Sequence, residues 1–292
     1  MTRRERKRRQ QRKNKAKKKQ AEVRRHIADQ LAEEGILDAA VEQYERATKL
    51  DGRNADARLG LADTYFAMEM PAKAYRAYRK VLRTDPQNAE CHMSLGEFFL
   101  NIGRARAAAK AMARAVECAP ERAYYAYRLG EVRMIMGHRT AAEEHFMQAV
   151  ELAPEDPFYH YKLGEARFRQ GRTADALGAY KTACKHAPAD DFYHIRLATA
   201  YVRNGHHEDA LRMFARTVRI EPGNSAYRFL LAEHLAFLGH EEEARQQYLR
   251  AGELDEYDRD YVRRAHIRCG FISEDKTNNG SLGDEDRRAP IG

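Results

Sequence analysis

Ala40, Ala74, Ala108, Ala142, Ala176, Ala210 and Ala244 stand 34 residues apart, with nothing inserted or lost between the first and the last. A fixed period of this length belongs to chains that stack one small unit, each burying its apolar face only against its neighbours. The period runs without a gap from Ala21 to Asp258, which makes seven units. Function is therefore to be sought on the stacked surface.

Other columns fall on the same ruler. The fifteenth place reads Gly35, Glu69, Gly103, Gly137, Gly171, Gly205 and Gly239. Glycine takes positive φ without steric cost, so this column predicts the left-handed residue that ends a first helix and turns the chain back. The alanines follow five residues later, small enough for a second helix to lie close against the first. Four residues on come Tyr44, Tyr78, Met112, Phe146, Tyr180, Phe214 and Tyr248, on the same helical face as the alanines. Pro86, Pro120, Pro154, Pro188 and Pro222 close the second helix, since proline pushes its predecessor out of the α region. Asn54, Asn88, Asp156, Asp190, Asn224 and Asp258 then stand where the next first helix needs an N-cap. Beyond Asp258, Tyr261, Val262, Ala265 and Cys269 make an apolar stripe, which predicts a capping helix over 259–270 that shields the last unit.

Leu95, Gly96, Phe99, Gly103, Ala108, Ala115 and Pro120 stand where the tetratricopeptide repeat pattern puts them. So do Leu163, Gly164, Gly171, Ala176, Tyr180, Ala183 and Pro188 two units later. On these residues the chain resembles the tetratricopeptide repeat (TPR) family, over about four-fifths of its length. There are departures. The chain has no Trp, Gly52 and Glu256 replace proline, and alanine replaces the glycine after leucine at Ala28, Ala62, Ala198 and Ala232. The resemblance implies an all-α fold, an α-solenoid of seven helix-turn-helix repeats wound into a right-handed superhelix. Its first helices would line a concave groove that commonly holds a peptide from a partner protein.

The net charge of +8 is unevenly placed. Residues 1–20 carry twelve Arg or Lys against the single acid Glu5, leaving 40 basic and 43 acidic side chains on the other 272 residues. A mildly acidic body follows an intensely basic arm. The arm holds almost nothing apolar, so it is not the core of a secretory signal, and no run approaches the ~18 apolar residues of a membrane span. These readings give a soluble, cytoplasmic protein as the expectation. Cys91, Cys118, Cys184 and Cys269 show no C-x-x-C spacing and read as reduced thiols, Cys184 at a buried place.

Catalytic constellations are thin. The sequence has no P-loop, G-x-G-x-x-G, H-E-x-x-H or G-x-S-x-G. His160 and His194 share a place in adjacent units, but no acid or cysteine accompanies them in register, so they read as packing residues rather than metal ligands. His206 and His207 fall in a turn. The expectation is a protein that is not an enzyme, with no cofactor, no metal and no small-molecule substrate.

The second, fifth, ninth and twelfth places of each first helix share a face by 3.6-residue spacing. Read together they supply Met93, Tyr124, Tyr127, Met134, Phe158, Tyr161, Phe168, Phe192 and Phe229 as an apolar floor. The ninth place is acidic in six of seven units and includes Glu97, Glu131 and Glu165. Two readings compete. Either the rings fill the inner curve and the acids pair locally, as Glu165 with Lys162 and Arg169, or the face recognises a protein segment with apolar anchors and Lys or Arg. The family's clamp for acidic chaperone tails uses Lys at the fifth place and Asn at the ninth. This chain has Tyr127 with Glu131 and Tyr161 with Glu165, so such a tail is a poor ligand.

The arm supports a second class of function. With Arg3, Arg4, Arg6, Lys7, Arg8, Arg9, Arg12 and Lys13 at its start, a stretch of this charge is expected to stay disordered. It is either a solubilising extension or a nonspecific contact for RNA, DNA or an anionic surface, which would make the chain a ribonucleoprotein-associated protein tethered by its arm. The division expected is thus a basic arm over 1–20, seven repeats over 21–258, the capping helix over 259–270 and a disordered tail over 271–292.

Overall fold

A computed structural model describes residues 3–254. The capping helix expected over 259–270, Cys269 and the tail over 271–292 lie outside the described residues. The described residues form fourteen helices and no strand. They fall into two compact units, divided between Pro154 and Glu155. The first holds α1 (Arg3–Glu33), α2 (Leu37–Leu50), α3 (Ala55–Ala67), α4 (Pro71–Thr84), α5 (Ala89–Asn101), α6 (Ala105–Cys118), α7 (Ala123–Ile135) and α8 (Arg139–Leu152). The second holds α9 (Pro157–Arg169), α10 (Thr173–His186), α11 (Asp191–Arg203), α12 (His207–Ile220), α13 (Ser225–Phe237) and α14 (Glu241–Leu254). In both units each odd-numbered helix packs most extensively on the even-numbered helix that follows it. Those pairs are the helical-hairpin repeats of an α-solenoid.

The columns explain the hairpins. All seven alanines are buried, at 1% exposure or less, and all seven large residues four places on are buried at 6% or less. A Cβ built on Gly130 would lie 2.8 Å from the Phe146 ring and 3.2 Å from the Ala142 carbonyl oxygen, so the paired backbones touch where both residues are small. Each proline follows a helix whose C-cap has left the α region, as at Asp85, with φ −136° and ψ 86°. The side chains of Asn54, Asn88, Asp156, Asp190 and Asn224 accept from backbone N–H groups two or three residues on. Arg122 holds the same place in its repeat and makes no side-chain cap.

The six glycines of the fifteenth place have φ between 73° and 83°, and Glu69 follows them at 56°. A side chain there is strained by about 1–2 kcal/mol, while glycine costs about 0.4–1 kcal/mol in chain entropy. Glu69→Gly is therefore expected to stabilise the first unit by about 0.5–1 kcal/mol. The urea midpoint reads this directly, and an unchanged or lower midpoint would show that the turn holds no strain.

The arm departs from expectation. Residues 3–20, read from composition as disordered, are the exposed N-terminal part of α1. Burial was the wrong criterion for this stretch. No Gly or Pro interrupts residues 3–33, and Arg, Lys, Gln and Ala are good helix formers. The packed portion from Ala21 onward serves as the nucleus, after which extension adds one hydrogen bond per residue fixed.

Candidate functional site

Side chains of the first helices form the candidate face in each unit. The fifth-place residues are drawn into their own hairpins. Tyr127 lies 6.3 Å from the Phe146 ring, Tyr161 6.2 Å from Tyr180, and Phe229 5.4 Å from Tyr248. Met93, Tyr127 and Phe229 are consequently buried, whereas Tyr161 is half-buried. The second place stays open, with Tyr124 48% and Phe192 40% exposed. Phe158, Phe168 and Met134 are half-buried. The floor read from the sequence is therefore two layers, and only the outer one meets solvent.

The acidic column has a packing role. Buried tyrosine hydroxyls donate to it, Tyr44 to Asp29 at 2.7 Å, Tyr78 to Asp63 at 2.6 Å, Tyr180 to Glu165 at 3.2 Å, and Tyr248 to Glu233. A buried hydroxyl without an acceptor is costly. Where the large residue is Phe214, which has no hydroxyl, the acid is replaced by Thr199, whose hydroxyl donates to the Ile195 carbonyl at 2.9 Å. Met112 and Phe146 also lack hydroxyls, and there Glu97 and Glu131 jointly hold the Arg128 guanidinium. Its Nε meets Glu97 at 2.6 Å and its Nη1 meets Glu131 at 2.6 Å. Arg169 binds the remaining oxygen of Glu165 at 2.7 Å, as the local reading expected.

Asp63 is the perturbed acid of the column. Burial pushes it up to about 6, against the opposing hydrogen bonds from Tyr78 and Ser94. Because the folded value lies above the ordinary one, protonation favours the folded state. That contribution is complete below about pH 4 and is lost as pH rises through about 6. The melting temperature of the wild type, compared with that of Asp63→Asn, is expected to fall between those limits. A flat difference would place Asp63 in ordinary solvent.

Cavities open between helices in both units. In the first unit, Leu59, Tyr44, Arg25 and the carboxyls of Asp29, Glu33, Asp56, Asp63 and Glu90 line a volume of about 640 Å³. Arg25 is its one cation and pairs with Asp29 at 2.8 Å. In the second unit, Val202, His207, Phe214, Leu230, Glu233, His234 and Phe237 line about 360 Å³, and Phe237 is 66% exposed.

Cations that the sequence reading missed lie on the second unit's rings. Lys162 sits 5.2 Å from the Phe158 centroid, Arg196 5.1 Å from Phe192, and Arg203 4.6 Å from Phe168. No carboxylate among the described residues pairs with Arg196 or Arg203. The signal was present at the sixth place, which reads Arg128, Lys162 and Arg196 in consecutive repeats.

His160 and His194 pack against other side chains. His194 is buried beside Arg216, with Nε to Nε2 at 3.2 Å, and burial lowers its pKa. His160 stacks on His186 at 5.7 Å. Among the described residues no group of three or more His, Cys, Asp or Glu is placed to hold a metal ion. Cys91, Cys118 and Cys184 are free thiols, and burial pushes Cys91 and Cys184 up to about 12. No helix among the described residues is long and apolar enough to cross a membrane.

Two family models match this chain. Residues 28–69 match the TPR repeat, and residues 51–267 match the Cilia and flagella-associated protein 70 C-terminal domain, a TPR array. The chain belongs to the tetratricopeptide repeat family. Solved structures of TPR proteins agree in fold. The Pseudomonas aeruginosa pilF structure is 22% identical with a TM-score of 0.59, over 75% of this chain and 99% of that one. The C-terminal part of a TPR repeat-containing protein from Cytophaga hutchinsonii is 13% identical with a TM-score of 0.69, over 82% and 98%. YrrB, described as a TPR protein with an unusual peptide-binding site, is 17% identical with a TM-score of 0.53, over 64% and 97%. Comparison with curated proteins finds no significant match to this TPR chain. Neither family model describes an enzyme.

Proposed function

We propose that this TPR protein is a non-catalytic scaffold that holds extended protein segments on its first-helix faces. In the first unit the segment carries a Lys or Arg beside an apolar anchor. The observation behind this reading is the 640 Å³ cavity, where five carboxyls surround one arginine above Leu59 and Tyr44. Its size suits a pair of side chains, and its charge selects the sign of one of them. Tyr124, Phe158, Tyr161, Phe168 and Phe192 supply exposed or half-buried ring surface for further contacts. Glu97, Glu131 and Glu165 act mainly by fixing that surface, because each already holds an arginine.

Asp56 and Glu90 are exposed rim residues, so replacing them leaves the core intact. Panning a random peptide library against the full chain is expected to enrich peptides with Lys or Arg next to apolar residues. Asp56→Lys combined with Glu90→Lys is expected to weaken the selected peptide by about 10- to 100-fold, the cost of like charges at an interface. Unchanged affinity, or enrichment of acidic peptides by the first unit, would reject the assignment.

A further inference from the structure

We infer that residues 3–19 of α1 form a DNA-binding helix that seats in the major groove of B-form duplex DNA without reading its sequence. This inference is independent of the peptide-binding reading. The stretch is helical and exposed throughout, and twelve of its residues are Arg or Lys against one acid, Glu5.

Geometry distinguishes the polyanion. At 100° per residue the cations encircle the axis, Lys18, Arg4, Lys15, Arg9, Arg6 and Arg3 pointing in six different directions. A flat membrane surface would engage only one side of such a helix, and no apolar side exists to enter the headgroups, since Ala16 is the only aliphatic residue between Arg3 and Lys19. A groove walled by phosphates on two flanks engages far more of the ring. A helix with side chains measures about 10–12 Å across, which fits the major groove of B-form DNA at about 12 Å wide. The corresponding groove of duplex RNA is too narrow and deep.

Energetics point the same way. Arg4 with Arg8, Arg8 with Arg12, Lys13 with Lys17, and Lys15 with Lys19 stand at i,i+4, where like charges repel along the helix. Phosphates on both flanks relieve that repulsion while releasing counterions. The stretch spans about 26 Å at 1.5 Å per residue. Base-edge readout is not expected, because lysines and arginines dominate and Gln10 is bonded to Asn14 at 3.1 Å.

The test uses the full chain and a mixed-sequence duplex of about 20 base pairs, followed by fluorescence anisotropy across a salt series. A plot of log K against log salt is expected to have a slope near −5, as for about five or six phosphate contacts. Replacing Lys13, Lys15, Lys17, Lys18 and Lys19 by Gln removes five of the twelve cations and is expected to flatten the slope to about −3. Ala16→Pro keeps every charge and breaks the helix at an exposed position ahead of Ala21, the first buried residue. It is expected to weaken DNA binding by about tenfold or more, with Ala16→Gly between it and the parent. Equal affinity of the proline variant and the parent would overturn the helical mode. Equal binding of duplex RNA, or tighter binding to phosphatidylserine vesicles than to DNA, would overturn the groove assignment.

Discussion

Tyr180→Ala is expected to destabilise the second unit by about 3–5 kcal/mol, the range for removing a large buried ring from a core. Tyr180 is 1% exposed. Its ring lies between Tyr161 at 6.2 Å and Phe168 at 6.4 Å, and a Cβ built on Gly164 would sit 2.7 Å from it. Gly164, which lies against the ring, has no side chain to refill that volume. The hydroxyl adds a second loss, since Glu165 would keep Arg169 but lose its buried donor. A repeat array is stabilised by each unit and its nearest-neighbour interfaces, so the damage should stay local. Hydrogen exchange is expected to accelerate over 157–220 while 37–118 keeps its protection. Uniform acceleration along the chain would mean that the array unfolds as a single cooperative block.

The hairpins were legible in the sequence because each rests on a local rule repeated in register. Positive φ at the fifteenth place, a small residue at the twentieth, a large one at the twenty-fourth and a cap at the thirty-fourth are read without tertiary knowledge, and Glu69 keeps the backbone of its column despite its side chain. The candidate face was less legible, because periodicity assigns a side chain to a face but not to a depth on it. The fifth and second places share a helical face, yet Tyr127 is 8% exposed and Tyr124 48%. The difference comes from Phe146, contributed by the following helix at 6.3 Å from Tyr127.

The acids posed the same problem in electrostatic form. A ladder of carboxylates looks like a selector until the tyrosine hydroxyls that donate to it are placed, and those donors stand fifteen residues away in sequence. The correlation was nevertheless present. Asp or Glu accompanies tyrosine in four repeats, and Thr199 accompanies Phe214. Read as a donor–acceptor pair, the two columns leave Arg196 and Arg203, over Phe192 and Phe168, as cations with no carboxylate partner among the described residues.

Ala142→Leu tests the close crossing on which every repeat depends, and it is expected to cost about 1–3 kcal/mol. Ala142 is fully buried, and its carbonyl oxygen would be 3.2 Å from a Cβ on Gly130. Leucine brings three more carbons into a crossing where a single methyl group on the facing helix would already stand 3.2 Å from backbone. A shift of a few tenths of an ångström relieves that distance for one carbon but not for four. The strain can be relieved only by moving α8 away from α7, which would also part Phe146 from Tyr127. Leucine has high helix propensity, so a loss of stability cannot be assigned to the isolated helix. The reverse exchange gives the control. Gly130→Ala puts its Cβ 2.8 Å from the Phe146 ring, a side chain that can yield, and alanine already occupies that place at Ala62, Ala198 and Ala232, all fully buried. Its melting temperature is therefore expected to change much less than that of Ala142→Leu. If the two variants melt together, or if Ala142→Leu melts with the parent, the alanine column does not mark the crossing.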